Sequence, residues 1–136
     1  MKYSLGLFLI LFFSIGLSAQ SLSGNWGYRI NGDQITIYGD KIINKNNGGK
    51  SGTLKLAIYA TRNPYNGGSI SGYKLHEYRL DPLKAGYERS NISNTGWNSA
   101  PPGGRYAITI VLLEYDNGGY GIVDYVSMSG TMNVSY

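Results

Sequence analysis

The sequence predicts an all-β protein, an immunoglobulin-like Greek-key β-sandwich of about seven short strands. Three observations lead there. Runs of apolar residues alternate at period two, the spacing of a strand with two distinct faces. Clusters of Gly, Asn, Asp and Pro separate these runs, and glycine alone accounts for 20 of 136 residues. No stretch beyond residue 19 sustains the period of a helix.

The N-terminal residues read as a leader and not as part of the fold. Lys2 supplies a positive start, Leu5 to Leu17 is almost wholly apolar, and Ser18-Ala19 is a small-residue exit. That is the pattern of a secretory signal peptide over 1–19, cleaved after Ala19. An apolar run of roughly 13 residues is short for a bilayer, which takes about 20; an uncleaved anchor helix is the alternative reading. The predicted mature chain, residues 20–136, is long enough for one domain with its own core. The chain contains no cysteine, so neither disulfides nor a lipid-modified cysteine enter. An exported, cysteine-free β domain fits a bacterial secreted, periplasmic or cell-envelope protein. With Lys2 removed, the charge falls from +4 to about +3. The basic residues are scattered, which argues against nucleic acid as a partner. After cleavage no membrane span is expected.

The elements follow in order. Gln20 to Gly24 reads as a loose polar lead-in. Trp26, Tyr28 and Ile30 share one face of a first strand, and Asn31-Gly32 signals a hairpin. Ile35 and Ile37 resume the alternation; Gly39-Asp40 breaks it, which predicts a bulge. Asn44 to Gly52 is a turn by composition. Thr53 to Thr61 is a regular strand, with Leu54, Leu56, Ile58 and Ala60 inward. Arg62 to Gly72 is an 11-residue loop, long for a hairpin. Tyr73 to Leu80 is a strand contributing Leu75, Tyr78 and Leu80 to the core. Tyr87 to Ser93 reads as a short edge strand, and Trp97 falls in the loop after it. Gly103 to Asp116 is apolar on both faces, hence central. The turn Asp116 to Gly119 leads to a last strand ending near Met128, and Thr131 to Val134 adds an edge piece.

Three phrases resemble bacterial immunoglobulin-like domains of the cell-adhesion-related (CARDB-like) type. Asp40-Lys41-Ile42-Ile43-Asn44-Lys45-Asn46-Asn47-Gly48-Gly49 resembles their "apolar-x-Asn-x-Gly" turn after the second strand. Leu80-Asp81-Pro82-Leu83-Lys84-Ala85-Gly86 is similar to the "Leu-x-x-Gly" bend before a later strand. Pro102-Gly103-Gly104-Arg105-Tyr106 is similar to the "Pro-x-Gly-x-Tyr" lead into the penultimate strand. The resemblance covers roughly residues 34 to 128. It implies a secreted sandwich, an adhesion or binding role, and a tyrosine corner at Tyr106, whose hydroxyl would bond upstream backbone. Two departures stand out: the long Arg62 to Gly72 loop, and Asp124 followed by Tyr125 and Val126 where those domains end on "Asp-x-x-Asn".

No catalytic constellation emerges. His76 is the one histidine and reads as a surface strand residue. It lacks a Gly-x-Ser-x-Gly nucleophile site to serve. Glu114 and Asp116 lie side by side at a strand end, whereas glycosidase carboxylates face each other across a cleft. Asp33, Asp40, Asp116 and Asp124 lie near loop ends without the spacing of a calcium loop; no metal or cofactor is expected. The function expected is therefore a non-catalytic binding or adhesion module. Carbohydrate binding through exposed aromatics, Trp97 and Tyr65 among them, is the alternative, and a small secreted enzyme or inhibitor the remoter one. If the third and sixth strands are neighbours, Ala57, Tyr59, Val111 and Leu113 share an outer face, extended by Tyr125. Such a patch predicts docking of a protein partner or a second copy, unless the Arg62 to Gly72 loop folds over it.

Overall fold

A computed structural model describes residues 20–136; the signal peptide predicted over 1–19 lies outside the described residues. The described chain is built from strands β1 (Gln20–Asn31), β2 (Gln34–Asn44), β3 (Leu54–Thr61), β4 (Tyr73–Leu80), β5 (Glu88–Trp97), β6 (Gly104–Asp116), β7 (Gly119–Ser127) and β8 (Met132–Val134). They form two antiparallel sheets. The smaller has the order β1-β2-β5, the larger β4-β3-β6-β7, with β8 pairing β6 beyond β7. The chain crosses between sheets after β2, β4 and β5, which is the Greek-key sandwich the patterning predicts. As expected, β6 is central and β3 is its neighbour.

The core lies between the sheets. Trp26, Ile35, Ile37, Ile42 and Ile92 come from the smaller sheet. The larger sheet contributes Leu54, Leu56, Ile58, Leu75, Tyr106, Ile108, Ile110 and Leu112. The predicted inward set of β3 is fully buried. Removing these side chains from water is the main driving force for closing the two layers.

Tyr106 makes the corner. Its Oη donates to the Pro102 carbonyl at 2.7 Å, so the ring is fixed in the core and the chain entering β6 is tied to it. Two further connections are laced together. Asn44 is fully buried; its Nδ2 donates to the Leu83 carbonyl at 2.7 Å, and the Leu83 amide donates to Ser51 Oγ at 2.9 Å. The "Asn" of the first turn and the "Leu" of the bend are thus a polar and an apolar peg in one junction.

The predicted irregularity near Gly39-Asp40 is present, but the extra residue belongs to β1. Gly24 and Asn25 together oppose Asp40 alone. Gly24 takes φ +78°, as the first residue of such a bulge often does, and Asp40 Oδ2 accepts from the Asn25 amide at 2.8 Å. Gly39 serves the adjacent pair: a Cβ there would lie 2.1 Å from carbons of the Trp26 indole, so the bare backbone is the seat of that ring.

Three expectations are corrected. Gln20 to Gly24 is not loose, because Gln20 to Ser23 pair with Lys41 to Asn44. The fifth strand does not stop at Ser93 but runs on to Trp97, since Asn94 to Trp97 pair with Gln34 to Ile37. His76 is half-buried and not on the open surface. Its Nε2 lies 2.8 Å from Asn94 Oδ1 on the opposite sheet, and a Cβ at Gly96 would sit 2.4 Å from its ring. The cause is a bulge in β4 at Leu75, between the pairs Ile58/His76 and Tyr59/Lys74, which puts His76 on the same face as Ile58, towards β5.

Candidate functional site

The outer face of the larger sheet holds most of the residues singled out from the sequence. Register places Ala57, Val111 and Tyr125 in one row, and Lys55, Leu113 and Ile122 in the next. Tyr59 and Thr109 pair in the row on the other side, with Ser127 beyond them. A bulge in β7 at Val123, between the pairs Leu112/Asp124 and Leu113/Ile122, puts Tyr120, Ile122 and Tyr125 on this face despite their uneven spacing.

The loop between β3 and β4 lies over that face. Tyr65 meets Tyr125 edge-on, with ring centroids 4.7 Å apart and planes at 77°, a favoured aromatic geometry. Ser127 Oγ donates to the Tyr65 carbonyl at 3.4 Å, and Tyr65 Oη closes the loop on itself by donating to the Gly68 carbonyl. In consequence Val111 is 0% exposed, as is Ala57. The expected open patch of Ala57, Tyr59, Val111 and Leu113 is therefore corrected: two of the four are sealed, and Tyr59 and Leu113 are only partly exposed. The physical reason is the length of the loop, which lets it fold back onto apolar surface that a two-residue turn would leave bare.

What remains accessible is a groove of about 760 Å³ beside the loop, lined by Tyr65, Ile70, Leu113, Tyr120, Ile122 and Tyr125. Its walls are held. Tyr120 is packed edge-on by Tyr115 at 5.2 Å and covered by Lys55 Nζ at 4.3 Å from the ring. Burial, and then the neighbouring Tyr125, push the Tyr65 hydroxyl above its ordinary range, so at neutral pH it is a proton donor and carries no charge. Trp97 is not part of this site. It pairs with Gln34 at the end of β5, on the outer face of the smaller sheet, and is 65% exposed. No family model, no curated protein and no solved structure matches this chain.

Two of the carboxylates weighed as chemistry, Glu114 and Asp124, are held in structural bonds. Glu114 Oε2 accepts from the Gly52 amide at 2.9 Å. Asp124 accepts from the Leu22 amide at 2.7 Å through one oxygen and from the Tyr125 amide at 2.9 Å through the other. The Leu22 contact ties the edge of β1 to β7, where a free strand edge would otherwise offer its amides to another chain. Among the described residues there is no group of three or more His, Cys, Asp or Glu placed to hold a metal ion. No helix among them is long and apolar enough to cross a membrane.

Sequence reasoning found Tyr65, Leu113 and Tyr125 but did not join Ile70, Tyr120 or Ile122 to them. The period-two pairing of Tyr120 with Ile122 was the available signal. Joining them to Tyr125 required the bulge at Val123, which nothing in the local sequence announces.

Proposed function

We propose that this chain is a non-catalytic binding module of an exported bacterial envelope protein, and that it holds an extended segment of a protein partner in the tyrosine-lined groove. The observation that carries the reading is the groove's lining: three tyrosines, two isoleucines and a leucine, partly exposed and fixed by mutual packing. Rigid aromatic and aliphatic anchors in a pre-formed groove are the usual hot-spot material of protein recognition. The only carboxylate along it is Asp124, whose two oxygens are already engaged; that supports binding over acid–base chemistry. The signal-peptide pattern and the resemblance to adhesion-related domains support the compartment and the class.

The test is selection from a displayed peptide library on the mature chain, followed by titration of the selected peptides. An Ile122→Lys, Tyr125→Ala variant should lose binding at least tenfold while unfolding as the parent does. Selected peptides that bind both proteins equally would refute the groove. Sedimentation of the protein alone covers the second copy as occupant: concentration-dependent dimers abolished by the same variant would assign the groove to self-association.

Trp97 favours a second reading. Its exposed ring stands in a row with Asn31 and Gln34, and the next rows offer the Thr36 and Thr95 hydroxyls, 2.6 Å apart, and Tyr38 with Arg29 stacked on it at 4.9 Å. Amides and hydroxyls beside an exposed aromatic suit a sugar better than the groove does. Tryptophan-quench titration with soluble polysaccharides tests this; a response that persists in Trp97→Ala would exclude it.

A further inference from the structure

The β3–β4 loop has a second side. Where its Pro64 approaches the start of β6, it closes a separate cleft of about 330 Å³. Ala107 and Thr109 of β6 form part of its floor, and Thr131, Arg62 and Arg105 line it with them. No residue lining the cleft is acidic. Arg105 spends only its Nε, which donates to Thr131 Oγ1 at 3.3 Å. Arg62 has no ion pair or side-chain hydrogen bond with any described residue. Two arginines thus line one small cleft with no carboxylate among its residues. The geometry of a guanidinium suits a carboxylate, which it can grip through two parallel N–H bonds.

The floor supplies an independent observation. Thr109 is 0% exposed and projects from the same face of β6 as Arg105 and Ala107. Its Oγ1 has no hydrogen-bond partner. Buried hydroxyls without partners are rare and call for an explanation; an acceptor brought into the cleft supplies one.

We propose that this cleft binds a carboxylate, borne by a small ligand or by the end of a chain, with Arg62 and Arg105 pairing its charge and Thr109 Oγ1 donating to it from below. The site is distinct from the tyrosine groove and lies across the loop from it. No bond is made or broken.

The experiment uses the mature ¹⁵N-labelled protein and two probes of one shape, benzoate and benzamide. Benzoate should give saturable shifts in the Arg62 and Arg105 side-chain Nε–H signals and in the Thr109 amide, and benzamide none. Arg62→Gln with Arg105→Gln should weaken benzoate binding by tenfold or more with the remaining spectrum unchanged, both positions being exposed. Thr109→Val, which keeps the shape and removes the hydroxyl, should weaken it with the fold intact. Equal shifts from benzamide, absence of saturable shifts, or benzoate binding that survives the double arginine change would each overturn the proposal. Acetyl-diglycine and glucuronate, run as further arms, distinguish a peptide end from an acidic sugar; saturation by either supports carboxylate recognition, and by neither counts against it.

Discussion

The Tyr106 hydroxyl ties the Pro102 turn to the ring at the head of β6. Tyr106→Phe keeps the ring and its apolar contacts but leaves a carbonyl without its donor, so stability should fall by about 1 kcal/mol. An unchanged urea midpoint would show that water replaces the phenol without loss. Tyr78 is the opposite case. Its Oη is buried without a partner, and desolvation, opposed by the charge of Arg89, raises its pKa from 10.0 to about 12. The unfolded chain ionises first, so the stability this residue contributes is whole below pH 10 and is lost as pH climbs towards 12. Tyr78→Phe should therefore be neutral or stabilising by about 1 kcal/mol at pH 7, and should flatten the alkaline decline in denaturation midpoint. A parent-like decline in the variant would place the titration elsewhere. Glu77 acts at the other end of the scale. Burial would raise its pKa, but the bonds and charges of Lys74 and Lys55 outweigh that and lower it. Its contribution is present above the ordinary carboxylate range and is lost as pH falls through the lowered value. Lys74→Met should bring acid unfolding to higher pH; an unmoved acid midpoint would mean that the pair is screened at the surface.

Gly39 and Trp26 form a single unit shared by β1 and β2. The indole occupies the space a side chain at 39 would need, so Gly39→Ala must displace either the ring or the strand, at a cost of about 1–3 kcal/mol. Guanidinium unfolding monitored by tryptophan emission measures it, and a parent-like midpoint would show that the ring tilts freely. These strands also show how far local pattern carries. The alternation in β3 was legible because Leu54, Leu56, Ile58 and Ala60 share one buried face, and a one-residue slip would turn them all outward; β6 was legible as central because it is apolar on both faces. The break opposite Asp40 was legible as an irregularity but not as to its strand, and those at Leu75 and Val123 were not legible, since a bulge depends on which residue of the partner strand it faces. Gln20 to Ser23 looked loose because their alternation is polar; what orders them is backbone pairing with β2, which the composition of one strand cannot reveal. The groove was half legible for the same reason. Its floor on β6 followed from alternation, whereas its wall depends on where a long loop comes to rest.

At the scale of the molecule, the β3–β4 loop decides which parts of the outer face meet solvent. A Val111→Lys, Leu113→Lys double change places one lysine where no exposure remains, under a loop with no acidic residue of its own. It should lower stability by about 3 kcal/mol or more, most of it from position 111, with Leu113→Lys alone costing under about 1 kcal/mol. A double variant that melts with the parent would mean that the loop lifts away readily in solution. The positions of the two tryptophans have a practical consequence. Trp26 is 9% exposed and seated on Gly39, whereas Trp97 is 65% exposed on the far side of the smaller sheet. The first should emit in the blue and resist iodide; the second should emit to the red and be quenched. The two proposed binding clefts lie on the other sheet, away from Trp97. The protein thus carries one optical reporter for unfolding and another for events at a single surface, and a titration that moves only the iodide-accessible fraction identifies the face that was touched without any label.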